Sequence, residues 1–344
     1  MKIEVHSPTI RRKEMYAVLT AMVEDKIGPG ERHKFLLQTA KEYLHFDYTL
    51  VLRSPATALF IALKCLNLKE GDGVLISALS PRYYLNVLSD LGLAPIFCDV
   101  SFSFPCIDLQ SIEKAISAKP NNITVRCILL HHTLGFIPDT VSINSLGIPV
   151  IEDISQSYSP QEEAPMPLHG AYTILGLEER DMLTSGGGAL LFAMNRKEGN
   201  ELRNYSNIPP EYSLPDMNAA LAAVQFKEAL RNAAKRRDIS NMYVQAALRT
   251  RHKRFVTVND TEYCNYAFAL VLETGIKDVI AYARKKEIIV ENAFEQTLTG
   301  AGASDTVLCP ISYSLSLRTV LFPLYPRLAS DQVQRVSKLI MTLP

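Results

Sequence analysis

The side chains best placed to do chemistry lie in two short stretches, PVIEDISQS (149–157) and GLEERDMLTSGGGA (176–189). The first is an apolar run ending in Glu152 and Asp153. A strand there delivers a carboxylate to its C-terminal end, where open α/β sheets bind ligands. Such a carboxylate can keep a ligand nitrogen protonated; the plainer reading is a cap on the turn after the strand. In the second stretch the only basic residue is Arg180. A guanidinium can hold a phosphate or a carboxylate, although a solvated loop arginine is the ordinary case. The glycine triplet at 186–188 lacks the Gly-Lys-Ser/Thr ending of a phosphate loop, and a tight turn into ALLFAMN (189–195) accounts for it. His131 and His132 follow the buried run VRCILL, with no neighbouring acid or cysteine in the sequence to suggest a metal site or a triad, and read as structural.

The elements that must position these residues alternate regularly. Two helices are expected in 8–45, separated by the glycine-proline break IGPG at 27–30. Then DYTLVLR, GVLISAL, APIFCDV, TVRCILLHHT and IPVIEDI read as strands. Between them PATALFIALKCLNL, RYYLNVLSDLG, IDLQSIEKAIS and VSINSLG read as helices. Continuous apolar strands separated by helical periods predict a parallel sheet covered on both faces. ALLFAMN and a long alanine-rich and basic helix over 216–249 follow. The strands CNYAFALVLE and LRTVLFPLY with the helices IKDVIAYARKKE and SDQVQRVSKLIM complete a smaller α+β unit. The expected division is 1–230 for the N-terminal segment and large domain, and 231–344 for the small one.

Composition narrows the function classes. The 344 residues are 47% hydrophobic and 21% charged, ordinary for a globular protein. Lys+Arg and Asp+Glu are each 36, so no basic field attracts nucleic acid or anionic lipid. MKIEVHSPTIRRKEMY has no apolar run of the signal-peptide kind, and no stretch is apolar enough to span a bilayer. The six cysteines are scattered without CxxC or Cys/His spacing, which predicts buried thiols in a reducing compartment and a cytoplasmic location.

The order of these elements and motifs resembles the DegT/StrS sugar aminotransferases. EGDGVLISALSPRYYLNVLSDLGLAPIFCDV follows that family's corresponding segment without a gap. HHTLGFIPD (131–139) is similar to its His-Leu-Tyr-Gly turn, PVIEDISQS carries its E-D-x-x-Q signature, and FPLYPRLASDQVQRV (322–336) matches its closing segment. The resemblance implies the pyridoxal 5′-phosphate (PLP) transferase fold of aspartate aminotransferase: a three-layer α/β/α large domain and a small α+β C-terminal domain. It also implies a nucleotide-sugar-like ligand and a dimeric assembly. Asp153 would keep the cofactor's pyridine nitrogen protonated, Gln156 would contact its O3′ side, and Ser54 and Thr57 of SPAT would lie at its phosphate.

Several positions depart from the family's pattern. The Schiff-base lysine falls on Arg180, and no lysine lies between Lys119 and Lys197. A guanidinium stays protonated and cannot form the internal aldimine. The phosphate-binding serine of that loop falls on Leu175, and Pro55 removes a backbone N–H from the phosphate turn. The stacking aromatic falls on Pro81, with Tyr83 as a substitute, and the asparagine that reaches the partner's phosphate falls on Glu211. The expectation is therefore a family member inactive as a transaminase. It would serve as a sugar-binding or partner subunit, in a homodimer or a heterodimer with a relative. The alternative is a nucleotide-sugar aminotransferase or dehydratase, in polysaccharide or secondary-metabolite biosynthesis, that holds PLP or its amine form (PMP) noncovalently. The cofactor is thus PLP, PMP or none.

Overall fold

The computed structural model describes residues 2–160, 168–256, 263–273, 275–300, 302 and 308–344. Two helices come first, α1 (Arg12–Val23) and α2 (Arg32–Leu44). The large domain continues with β1 (Tyr48–Leu52), α3 (Pro55–Cys65), β2 (Gly73–Ser77), α4 (Tyr83–Asp90), β3 (Ala94–Cys98) and α5 (Leu109–Ala118). Then come β4 (Val125–His131), α6 (Thr140–Asn144), β5 (Val150–Asp153), β6 (Tyr172–Gly176), β7 (Ala189–Ala193) and α7 (Arg196–Arg203). The helix α8 (Asp216–Ala247) leads to β8 (Phe268–Val271), α9 (Ile276–Lys285), β9 (Glu291–Asn292), α10 (Pro310–Arg318), β10 (Thr319–Phe322) and α11 (Ser330–Met341).

The main sheet has seven strands in the order β1-β7-β6-β5-β4-β2-β3. Its apolar runs feed both faces because successive side chains on a strand point to opposite sides. Val74, Ile76, Cys127 and Leu129 pack with α3 and α4, while Leu75, Ile128 and Leu130 pack with α5 and α6. At the other end of the sheet Leu175, Leu190 and Phe192 meet α2 and the first half of α8. Two features differ from the sequence expectation. β6 is an additional strand, and β7 runs antiparallel to both its neighbours, β1 and β6. The loop over 177–188 carries the chain back beside β6 without a helical crossover, as an antiparallel neighbour allows.

The three glycines make the turn that permits it. Gly186, Gly187 and Gly188 have φ of 71°, 138° and 119°, the region open to residues without a Cβ. The small domain is a three-stranded antiparallel sheet, β8-β10-β9. It is covered by α9, α11 and the second half of α8, with Ile3 in the same core. α8 is continuous through residue 230, so one helix serves both cores. All six cysteines are buried.

Candidate functional site

Asp153 is the last residue of β5 and is 2% exposed. A lone carboxylate in that position would be costly to bury, so its partners decide what it can do. Oδ1 accepts from the Ser155 backbone N–H at 3.0 Å and from the Ser155 hydroxyl at 2.5 Å. Oδ2 accepts from the Tyr83 and Tyr84 hydroxyls, each at 2.9 Å. Both tyrosines open α4, so one helix N-terminus places two phenols against one carboxylate oxygen. Burial first, and then the Asp153 charge, push both hydroxyls well above the ordinary tyrosine range, so they remain donors.

Around this corner the neighbouring strand ends are equally tied. His131, the last residue of β4, meets Tyr84 edge-on at 6.3 Å and contacts Thr133 Oγ1 through Nδ1 at 3.0 Å. Burial pushes its ring down to about 4; Asp153 opposes that shift and His132 adds to it. His132 does have an acidic neighbour, contrary to the sequence reading. Its Nε2 lies 3.3 Å from Glu152 Oε2, its Nδ1 lies 2.8 Å from Ser157 Oγ, and the His132 and Glu152 side chains are fully enclosed. Glu152 Oε1 also accepts the His169 N–H at 2.7 Å and the Gly170 N–H. The signal missed was the alternation of β5, which sends Glu152 and Asp153 to opposite faces.

Gln156 Oε1 accepts the Leu134 N–H at 2.7 Å. Leu134 has φ 56°, an unfavourable conformation for a leucine that this bond helps to fix. Gln156 is therefore a brace for the 132–135 turn. Ser54 caps α3, accepting the Thr57 N–H at 3.2 Å and lying 3.0 Å from the Thr57 hydroxyl, with Pro55 in the first turn. These bonds join Ser54 and Thr57 to each other and not to Asp153, Gln156 or Tyr83. Leu175 lies inside β6, not in the loop, and is fully buried in apolar surroundings. Pro81 bridges to Thr297, and Glu211 is exposed in a 3-10 turn at Pro210–Tyr212.

Arg180 lies in the loop between β6 and β7, and its Nη1 is 2.8 Å from Glu291 Oε2 on β9. The side chain is 48% exposed, and the bond ties the loop to the small domain. Beside it is a polar cavity of about 20 Å³, lined by His6, Thr9, Asp181, Thr184, Arg236 and Tyr325, with room for about one water. Burial pushes the Asp181 carboxyl well above the carboxylate range, with Asp153 adding to the shift. Its Oδ2 accepts the Glu178 N–H at 2.8 Å. Gly176 makes room for this corner: a Cβ there would meet the Asp181 carboxylate and stand 2.7 Å from Ser155 Oγ.

The side chains present do not complete a PLP site. The carboxylate already has four donors, the loop offers a guanidinium in place of an amine, and Leu175 offers no hydroxyl. Among the described residues no cluster could hold a metal ion.

The seven-stranded sheet with its helical layers and appended small sheet is the PLP-dependent transferase fold. The chain belongs to the DegT/DnrJ/EryC1/StrS aminotransferase family, whose profile matches residues 8–166 and 182–341. The interval left out, 167–181, contains Leu175 and Arg180. Among solved structures, the chain is similar to the apo form of the putative sugar aminotransferase Spr1654 from Streptococcus pneumoniae. The TM-score is 0.85 at 17% identity, over 99% of this chain and 97% of that one. Aminotransferase TlmJ from Streptoalloteichus hindustanus gives 0.86 at 17% identity over 98% of each chain. DesV of S. venezuelae, solved with a ketimine intermediate, gives 0.83 at 17% identity over 95% and 93%. Among the described residues no helix is long and apolar enough to cross a membrane.

Proposed function

We propose that this chain is a family member without internal-aldimine chemistry, which binds a nucleotide-sugar-like ligand in the family cleft as a sugar-binding or partner subunit in the cytoplasm. One observation carries this reading: Arg180 stands in the loop where the family pattern has its lysine and pairs with Glu291 at 2.8 Å, and no lysine lies between Lys119 and Lys197. A visible absorbance scan with added PLP, before and after borohydride, tests it. No aldimine band and no fixed adduct are expected; a covalent adduct refutes the reading. We divide the chain functionally at residues 230 and 231.

The assembly we propose is a homodimer or a heterodimer with a family relative. α1 supports it with an exposed apolar stripe, Met15, Tyr16, Leu19, Met22 and Val23, at helical spacing. Sedimentation should show a dimer, or pull-downs a bound relative; a monomer at micromolar concentration without one refutes the assembly.

A second reading is a nucleotide-sugar aminotransferase or dehydratase of cell-surface polysaccharide or secondary-metabolite biosynthesis that uses PLP or PMP noncovalently. Family membership and the similarity to aminotransferases, among them Spr1654 in its PMP form at TM-score 0.86, favour it over the first reading on grounds of descent. The site's side chains favour the first. Amino transfer from glutamate to a keto-sugar nucleotide separates the two.

A further inference from the structure

We infer that Tyr83 and Tyr84 stand where a cofactor's ring nitrogen would bond, so that their hydroxyls close the Asp153 carboxylate and the cleft works with no pyridoxal phosphate on that residue. The inference rests on the reading above and goes further. That reading removes the covalent link, whereas this one removes the noncovalent anchor.

A carboxylate offers about four lone-pair directions, two on each oxygen. Here all four are taken, two by Ser155 and two by the phenols at 2.9 Å. A pyridinium N–H could reach Oδ2 only by displacing at least one of the two hydroxyls. Displacement costs the freed hydroxyl its bond to the carboxylate, and Tyr84, 1% exposed, cannot turn to solvent instead.

Volume argues the same way. The two phenol rings meet edge to face at 4.9 Å, and His131 stands edge-on to Tyr84 behind them. Three rings thus crowd the carboxylate that a fourth, the cofactor's, would have to reach. Gln156, the O3′ contact that the resemblance implies, has its Oε1 committed to Leu134, and Arg180, at the lysine position, is paired with Glu291. The closure also answers the electrostatic problem of Asp153, because four donors solvate its charge without any bound cation.

The experiment titrates the whole protein with PLP and with PMP, in wild type and Asp153→Asn, read by equilibrium dialysis and melting temperature. Wild type is expected to show no saturable binding below roughly millimolar concentration, and no rise in melting temperature with either compound. Asp153→Asn is expected to melt lower, because its amide brings donors toward the two phenols. Micromolar binding that Asp153→Asn weakens tenfold or more overturns the closure. If borohydride fixes no adduct, the noncovalent enzyme reading then gains; if it does, both inferences fall. Binding that the substitution leaves unchanged lies away from Asp153 and supports the closure. Should the variant not fold, the ultraviolet difference spectrum of wild type decides: a tyrosine signal saturating with the cofactor overturns the closure, and its absence supports it.

Discussion

Asp153 ends β5 and Arg180 lies in the loop after the adjacent strand β6, yet the protein holds them in opposite ways. Asp153 is enclosed and takes four bonds from its own domain, two from a residue only two positions away. Arg180 is half in solvent and makes one ion pair, across to the small domain. A buried carboxylate is structural as soon as its neighbours depend on it. A loop side chain with an exposed partner is held by almost nothing. Chemistry carried by the second kind of residue can vanish while the architecture carried by the first persists.

The widest test of that contrast is Asp153→Ala. It strands the Tyr83 and Tyr84 hydroxyls and the Ser155 donors at the buried C-terminal end of the central strand. Hydrogen bonds to a charged group are worth about 1.5–3 kcal/mol each, and not all are lost independently, so a destabilisation of about 3–5 kcal/mol is expected. Urea denaturation measures it. A loss below about 1 kcal/mol would mean that the phenols find other partners and that the two regions differ less than their geometry indicates.

Next in size is the acid response of the same corner. His131 is held neutral by burial, its value lowered from 6.5 to about 4. Above 6.5 neither state binds the proton and nothing is lost. As pH falls from 6.5 towards 4 the unfolded chain takes up a proton that the folded one refuses, so stability declines across that window, by about 3 kcal/mol. Below that the folded state protonates too and this contribution levels off. His6, lowered to about 4 by burial and then by Arg180 and Arg236, adds to the same limb but is less enclosed. His131→Gln should flatten the decline. Parallel pH profiles for variant and wild type would show that the ring titrates freely.

How much of this was legible follows from which interactions are local. The strands and helices of the large domain could be read because their apolar runs and periods are sequence-local, and α11 begins and ends where its pattern does. β6 escaped notice because AYTILGLEE merges into the polar loop, and its strand identity comes from pairing with β5 and β7. The reversal of β7 was hidden because continuous apolar strands look alike in either direction. At the site, Asp153 and Gln156 were placed by motif, but their partners were not. Tyr83 reaches Asp153 across 70 positions and Arg180 reaches Glu291 across 111. No spacing rule encodes such contacts. The Glu152–His132 pair lay in the alternation of β5, which turns Glu152 away from Asp153 and towards His132, the residue just after β4.

A smaller effect is expected where the comparison is weakest. The Arg180–Glu291 pair is 48% and 31% exposed, and such pairs contribute about 0.2–1 kcal/mol. A double-mutant cycle of Arg180→Ala and Glu291→Ala should give a coupling in that range, shrinking with added salt. A coupling above about 2 kcal/mol would make the loop as structural as the strand end.

The smallest effect is the one expected of Arg180→Lys, which should not bring back amino transfer. If the arginine were the only obstacle, a lysine in its place could reach a cofactor aldehyde. The structure sets three others in the way. Glu291 stands 2.8 Å from the guanidinium and would pair with an ammonium as readily, keeping it protonated and non-nucleophilic. Leu175 and Pro55 remove a hydroxyl and a backbone N–H from the expected phosphate contacts. Two lost bonds to a charged phosphate, at about 1.5–3 kcal/mol each, amount to roughly a hundredfold or more in affinity. The Asp153 carboxylate remains closed by Tyr83 and Tyr84 in the variant as in the wild type. At micromolar PLP the variant should show no aldimine band and no transfer from glutamate to keto-sugar nucleotides. A clear band with turnover would show that the loop alone had changed. The strand-end corner would then have kept its old chemistry, and the contrast between the two regions would be one of a single side chain.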